Sequence, residues 1–118
     1  GSFSIQNKET SIYFSGDTGF SPHFTEIKEQ FNSFDVCLMP IGAYKPRYIM
    51  EWAHISPQEA VEAFHLLNGK TFIPMHYGTF DLSDEPASEP LQLLQEFQNQ
   101  QKINGDLKIL KVGEIYTV

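Results

Sequence analysis

Two short apolar runs stand on either side of one strongly marked helix. Phe34 to Met39 is apolar apart from Asp35, and its length and bounds suit a buried strand closed by Pro40. Thr71 to Met75 is a second such run and ends at His76. Between them, Ser56-Pro57-Gln58-Glu59 spells a helix start. Ser56 can cap, Pro57 fits the first helical position, where its missing N–H has no partner to lose, and Glu59 closes a capping box. Ala60, Val61, Phe64 and Leu67 form the stripe that this helix buries, and Asn68-Gly69 ends it in the left-handed conformation. Short strands alternating with amphipathic helices over short loops make an α/β pattern.

The remaining segments fit that frame. Phe3-Ser4-Ile5 alternates as a half-buried strand does. Ser11 to Ser15 alternates again, with Ile12 and Phe14 on one face and Tyr13 on the other, and stops at Gly16-Asp17-Thr18-Gly19. Ser21 as cap and Pro22 at the first position start a helix with Phe24, Ile27 and Phe31 on one face. Residues 41–55 read as a loop. Ser88 caps a third helix running to about Lys102, with Leu91, Leu94 and Phe97 inward and the Gln-rich stretch Gln92 to Gln101 toward solvent. After the turn Asn104-Gly105-Asp106, Leu107 to Leu110 and Glu114 to Val118 read as two strands of a hairpin around Val112-Gly113.

A length of 118 residues is that of one modest domain, and ten Phe with five Tyr supply a core that a disordered chain would lack. A net charge of −7 with eight Lys plus Arg argues against a nucleic-acid binder or a polybasic membrane contact. Cys37 is the single cysteine, inside Val36-Cys37-Leu38-Met39, so an intrachain disulfide and a thiolate metal cluster are excluded and a buried inert thiol is expected. No apolar stretch approaches the roughly 20 residues of a membrane span. Gly1-Ser2, in place of a leading Met, reads as an expression scar or a trimmed sequence.

The chemistry-bearing residues stand where strands end. Asp17 follows the Ile12–Ser15 strand and His76 follows Met75. In open α/β sheets ligands bind beyond the carboxyl ends of strands, so a carboxylate and an imidazole there can converge. Both suit Zn²⁺ or another divalent ion, but two groups do not make a catalytic zinc site, which takes at least three protein ligands. Asp17 as a plain turn or cap residue, and His76 as a core histidine, remain open on spacing alone. His54, just before a helix N-terminus, could donate to a phosphate or carbonyl oxygen, or be a surface histidine. Tyr44, Lys45, Arg47, Tyr48, Ile49, Met50 and Trp52 make the 41–55 loop able to line a pocket for an amphiphile, or to pack on its own domain.

Four segments occur in order: Ser15-Gly16-Asp17-Thr18-Gly19-Phe20, Pro40-Ile41-Gly42-Ala43-Tyr44-Lys45-Pro46-Arg47, His54-Ile55-Ser56-Pro57-Gln58-Glu59-Ala60-Val61 and Pro74-Met75-His76-Tyr77-Gly78-Thr79-Phe80. Together they resemble the C-terminal half of a metallo-β-lactamase-fold hydrolase, in the branch of the N-acyl-phosphatidylethanolamine phospholipase D type. The resemblance implies that residues 1–118 form one half, a β-sheet with flanking helices, of a four-layer αββα sandwich. It implies a site of two zinc ions between the half-domains, bridged by Asp17 and bound on one side by His76, with His54 contacting substrate and a metal-bridged hydroxide as nucleophile. Tyr44, Arg47 and Trp52 would meet a lipid-like or phosphodiester substrate.

The resemblance also implies what this chain lacks. The family's His-x-His-x-Asp-His segment and the further His before the Asp segment do not occur in it. The chain is then expected to be a fragment or a separately expressed half of a hydrolase. It would be inactive alone, bind zinc weakly, and self-associate through the sheet face that the missing N-terminal half-domain would cover. A lactonase or nuclease of the same fold, or a non-catalytic remnant, are the alternatives. The parent's compartment stays open between cytoplasm and a membrane surface.

Overall fold

A computed structural model describes residues 1–118. Its elements are β1 (Phe3–Gln6), β2 (Ser11–Phe14), α1 (His23–Phe31), β3 (Phe34–Pro40), α2 (Arg47–Met50), α3 (Pro57–Leu66), β4 (Gly69–Met75), α4 (Glu89–Asn99) and β5 (Asp106–Leu107). The strands form one mixed sheet in the order β1-β2-β3-β4-β5. The β1–β2 pair is antiparallel and the other three pairs are parallel.

Register sorts the side chains. Tyr13, Cys37 and Phe72 are lateral neighbours across β2, β3 and β4 and share one face. They join Met39, Phe24 of α1, Ala60, Val61, Ala63 and Phe64 of α3, and Leu94 of α4 in a single core cluster. Phe64 meets Phe72 edge-on at 5.3 Å between ring centroids, an aromatic pair that holds α3 against the sheet. The alternate positions Ile12, Phe14, Leu38 and Ile73 face the other way and remain half-buried. On the same side, at the sheet's edge, Phe3 and Ile5 are 65% and 64% exposed. The sheet thus has one packed face and one apolar face covered only in part, with Val36 buried at its middle and Phe3 and Ile5 exposed at its edge. No helix is long and apolar enough to cross a membrane.

The capping box forms as expected: the Glu59 N–H donates to Ser56 Oγ, and the Ser56 N–H to the Glu59 carboxylate. Asn68, at φ 51°, makes the left-handed exit from α3.

Elsewhere the expectations need correcting. The cap position of α1 is Pro22 rather than Ser21, whose hydroxyl instead meets the His23 ring. Ser88 stands at the cap position of α4 but its side chain makes no capping bond, and the helix stops at Asn99, short of Lys102. The 41–55 loop contains α2, one turn long and started after Pro46. Pro40 does not close the third strand but belongs to it, opposite Met75.

The C-terminal hairpin is absent. Asp106–Leu107 adds to β4 in parallel, and the Lys108 N–H extends that pairing to the Phe72 carbonyl. After it the chain turns on itself at Lys111–Glu114, with the Glu114 carboxylate accepting the Lys111 N–H. Ile115 is 88% exposed, so the alternating pattern there has no surface to pack on.

Candidate metal centre

The loop after β2 and the residue after β4 make the site. β2 ends in Ser15, whose N–H still reaches the Leu38 carbonyl, and Gly16 then turns the chain at φ 63° to bring out Asp17. On the far side of Asp17 the backbone of Gly19 lies against α2's last turn: a Cβ there would stand 2.6 Å from the Glu51 carbonyl oxygen.

At the end of β4, His76 adopts φ 57°, a left-handed conformation uncommon for a residue with a Cβ. The segment after β3 runs close beside it. The Ile41 N–H donates to the Met75 carbonyl, and a Cβ on Gly42 would lie 2.2 Å from the His76 carbonyl oxygen.

These turns bring the imidazole of His76 to the carboxylate of Asp17, with Nδ1 2.9 Å from Oδ1. Both groups are open to solvent, with side chains 44% and 64% exposed. They line a cavity of about 390 Å³ together with His54. The far wall of the cavity comes from residues 77–83, which bring Phe80 and Leu82.

As a donor set, one carboxylate and one imidazole in contact fit part of a divalent-metal site, with oxygen and nitrogen ligands of the kind zinc takes. No group of three or more His, Cys, Asp or Glu side chains converges to hold a metal ion. Within this chain the contact offers two donor groups and not a full coordination shell.

Of the other residues singled out in the sequence, Trp52 is 83% exposed and borders a shallow depression next to Asp17. Tyr44 and Arg47 do not line the cavity. Tyr44 is buried, with its hydroxyl on the Glu89 carboxylate at 2.5 Å. Burial first, and the neighbouring Glu89 carboxylate second, push its pKa well above that of free tyrosine. The Arg47 guanidinium is engaged with Glu59 and with the His54 carbonyl.

Glu85 belongs to the site without any signal in the sequence. It is only 6% exposed. Its carboxylate accepts the Tyr44 N–H at 3.1 Å, the Lys45 N–H at 2.9 Å and the Ser83 hydroxyl at 2.8 Å. Burial alone would raise its pKa, but these donors outweigh it and hold the carboxyl below the ordinary glutamate value. Glu85 thereby fastens the cavity's far wall to the segment after β3. Nothing in the sequence signals a contact across 41 residues.

Comparison with known proteins gives the family. Residues 1–77 match the family described as the beta-lactamase superfamily domain. The chain belongs to the metallo-β-lactamase superfamily. It is 36% identical over 118 residues to N-acyl-phosphatidylethanolamine-hydrolyzing phospholipase D 1 of Caenorhabditis elegans, an alignment covering 97% of this chain and 33% of that protein. It is 33% identical over 112 residues to a UPF0173 metal-dependent hydrolase of Hyperthermus butylicus, covering 95% of this chain and 43% of the relative. The structure of isothiocyanate hydrolase from Delia radicum gut bacteria superposes with a TM-score of 0.76 at 16% identity, over 99% of this chain and 43% of that one, and shows the shared fold. The chain thus spans under half the length of the proteins it matches.

Proposed function

We propose that this superfamily chain is the C-terminal half-domain of a zinc-dependent hydrolase acting on phosphodiesters or lipid-like esters. The observation that supports the reading is the contact of Asp17 with His76, two metal-binding side chains brought together from the ends of separate strands at the mouth of one cavity. In this reading Asp17 and His76 hold the metal. Once bound, zinc supplies Lewis acidity and a water made acidic enough to attack at neutral pH. His54, on the same cavity, donates to the phosphoryl or carbonyl oxygen of the substrate, and Phe80 and Leu82 take its apolar part. A charge of −7 favours such a substrate over a polynucleotide.

The remaining metal ligands belong to an N-terminal half-domain carrying a His-x-His-x-Asp-His segment. That half-domain covers the apolar sheet face of Phe14, Leu38 and Ile73. Without it, the isolated chain pairs with a second copy through this face and does not turn substrate over.

Asp17→Asn, His76→Ala and His54→Ala in the complete hydrolase test the assignment, with metal content measured beside rate. The first two should lose metal and turnover together, and the third should lose turnover and keep metal. Loss of metal in His54→Ala would refute its role.

A further inference from the structure

Arg47 has a cationic side chain close to the cavity, but its hydrogen bonds point away from any ligand. Nη2 lies 2.9 Å from both carboxylate oxygens of Glu59. Nη1 donates to the His54 carbonyl oxygen at 3.0 Å. Glu59 is itself fixed, because its carboxylate also accepts the Ser56 N–H at 2.8 Å in the capping box of α3. The guanidinium thus joins the start of α2 to the start of α3, and the His54 peptide lies between. The other side of that peptide is held as well: the His54 N–H donates to the Met50 carbonyl at 2.8 Å. His54 lines the cavity with Asp17 and His76, whereas Arg47 does not.

We propose that Arg47 is a positioning residue for His54, acting through the His54 carbonyl and Glu59 rather than by touching substrate. The inference rests on the role given to His54 above. Here one guanidinium nitrogen takes the carboxylate and the other takes the carbonyl, and the planar group holds the two nitrogens at a fixed angle. An ammonium group keeps the charge but not this fork. A side chain that served as a charge for substrate would tolerate Lys, and one that serves as a bracket would not.

Two measurements test the proposal. The first is on this protein and needs no activity. The ring C–H resonances of His54 should shift and broaden in Arg47→Lys, in Arg47→Ala and in Glu59→Gln, which breaks the bracket from its other side, while the circular dichroism of all three stays that of the parent. An unmoved His54 signal in these variants overturns the proposal.

The second is on the complete hydrolase with bis(4-nitrophenyl) phosphate as the probe. Arg47→Lys should lower kcat on the order of 10- to 100-fold, as small misplacements of a site group do, with KM little changed. In a His54→Ala background the same substitution should have no further effect. A raised KM with kcat retained, or full additivity with His54→Ala, would mean that Arg47 meets substrate directly and would also overturn it. If His54→Ala leaves turnover unchanged, the role of His54 fails, and the resonance measurement still decides whether Arg47 places it.

Discussion

The close passage of Gly42 against His76 predicts a substitution that damages the His76–Asp17 contact without touching either side chain. In Gly42→Ala the new Cβ would stand 2.2 Å from the His76 carbonyl oxygen and 3.3 Å from its carbonyl carbon. An ordinary carbon–oxygen contact begins at about 3.3 Å, so one backbone must retreat by roughly 1 Å. Neither is a flexible side-chain end. Gly42 sits in the segment tied to β4 by the Ile41–Met75 hydrogen bond, and His76 is held in its left-handed turn. Overpacking of this kind costs about 1–3 kcal/mol, offset by about 0.4–1 kcal/mol from the reduced freedom of the unfolded chain. The expected net loss is about 1–2 kcal/mol, read as a fall in Tm of about 5 °C or more. The same retreat should pull His76 from Asp17 and change the His76 ring resonances. Gly113→Ala is the control. That glycine has φ 84° with nothing near its Cβ position, so it should cost about 1 kcal/mol and leave His76 alone. A Gly42→Ala protein with parental Tm and an unchanged His76 signal would refute the reasoning.

Three further outcomes are expected. Size exclusion with light scattering at micromolar concentration should find the chain self-associated, because its partly covered sheet face is apolar; a stable 13.5 kDa monomer would count against that. Calorimetric titration with Zn²⁺ should show weak binding that Asp17→Asn and His76→Ala abolish, and two tight sites would contradict the two-donor reading. The Glu85 carboxyl is held below its ordinary value of 4.5, so its contribution to stability is present above that pH and is lost as pH falls below it through the folded pKa. Denaturation midpoints measured from pH 6 down to about pH 3 should fall more steeply for the parent than for Glu85→Gln.

What could be read from the sequence was what local chemistry decides. The Ser56–Glu59 capping box is written within four residues and needs no distant partner. The strands β2, β3 and β4 announce themselves by apolar pattern, and Asp17 and His76 by standing where those strands stop. The C-terminal hairpin failed because alternation shows only that a segment could pair. β5 found its partner in β4, which left residues 114–118 with nothing to lie against. The turn of α2 is too short for a periodic signal. Contacts such as Arg47 with Glu59, or Glu85 with the Tyr44 and Lys45 N–H groups, depend on where two loops meet, which no local pattern encodes.

Cys37 lies on β3, fully buried beside Phe64 and Phe72, and burial pushes its thiol up to about 12. Since only the thiolate reacts and the sulfur has no path to solvent in the folded chain, alkylating reagents must wait for the sheet to open. One thiol per chain, placed on the middle strand, makes the protein its own clock. The rate at which a maleimide consumes it counts openings of the central sheet, under native conditions and without any added label. The same count, repeated with an N-terminal half-domain or a metal ion present, would measure how much each of them keeps the sheet shut.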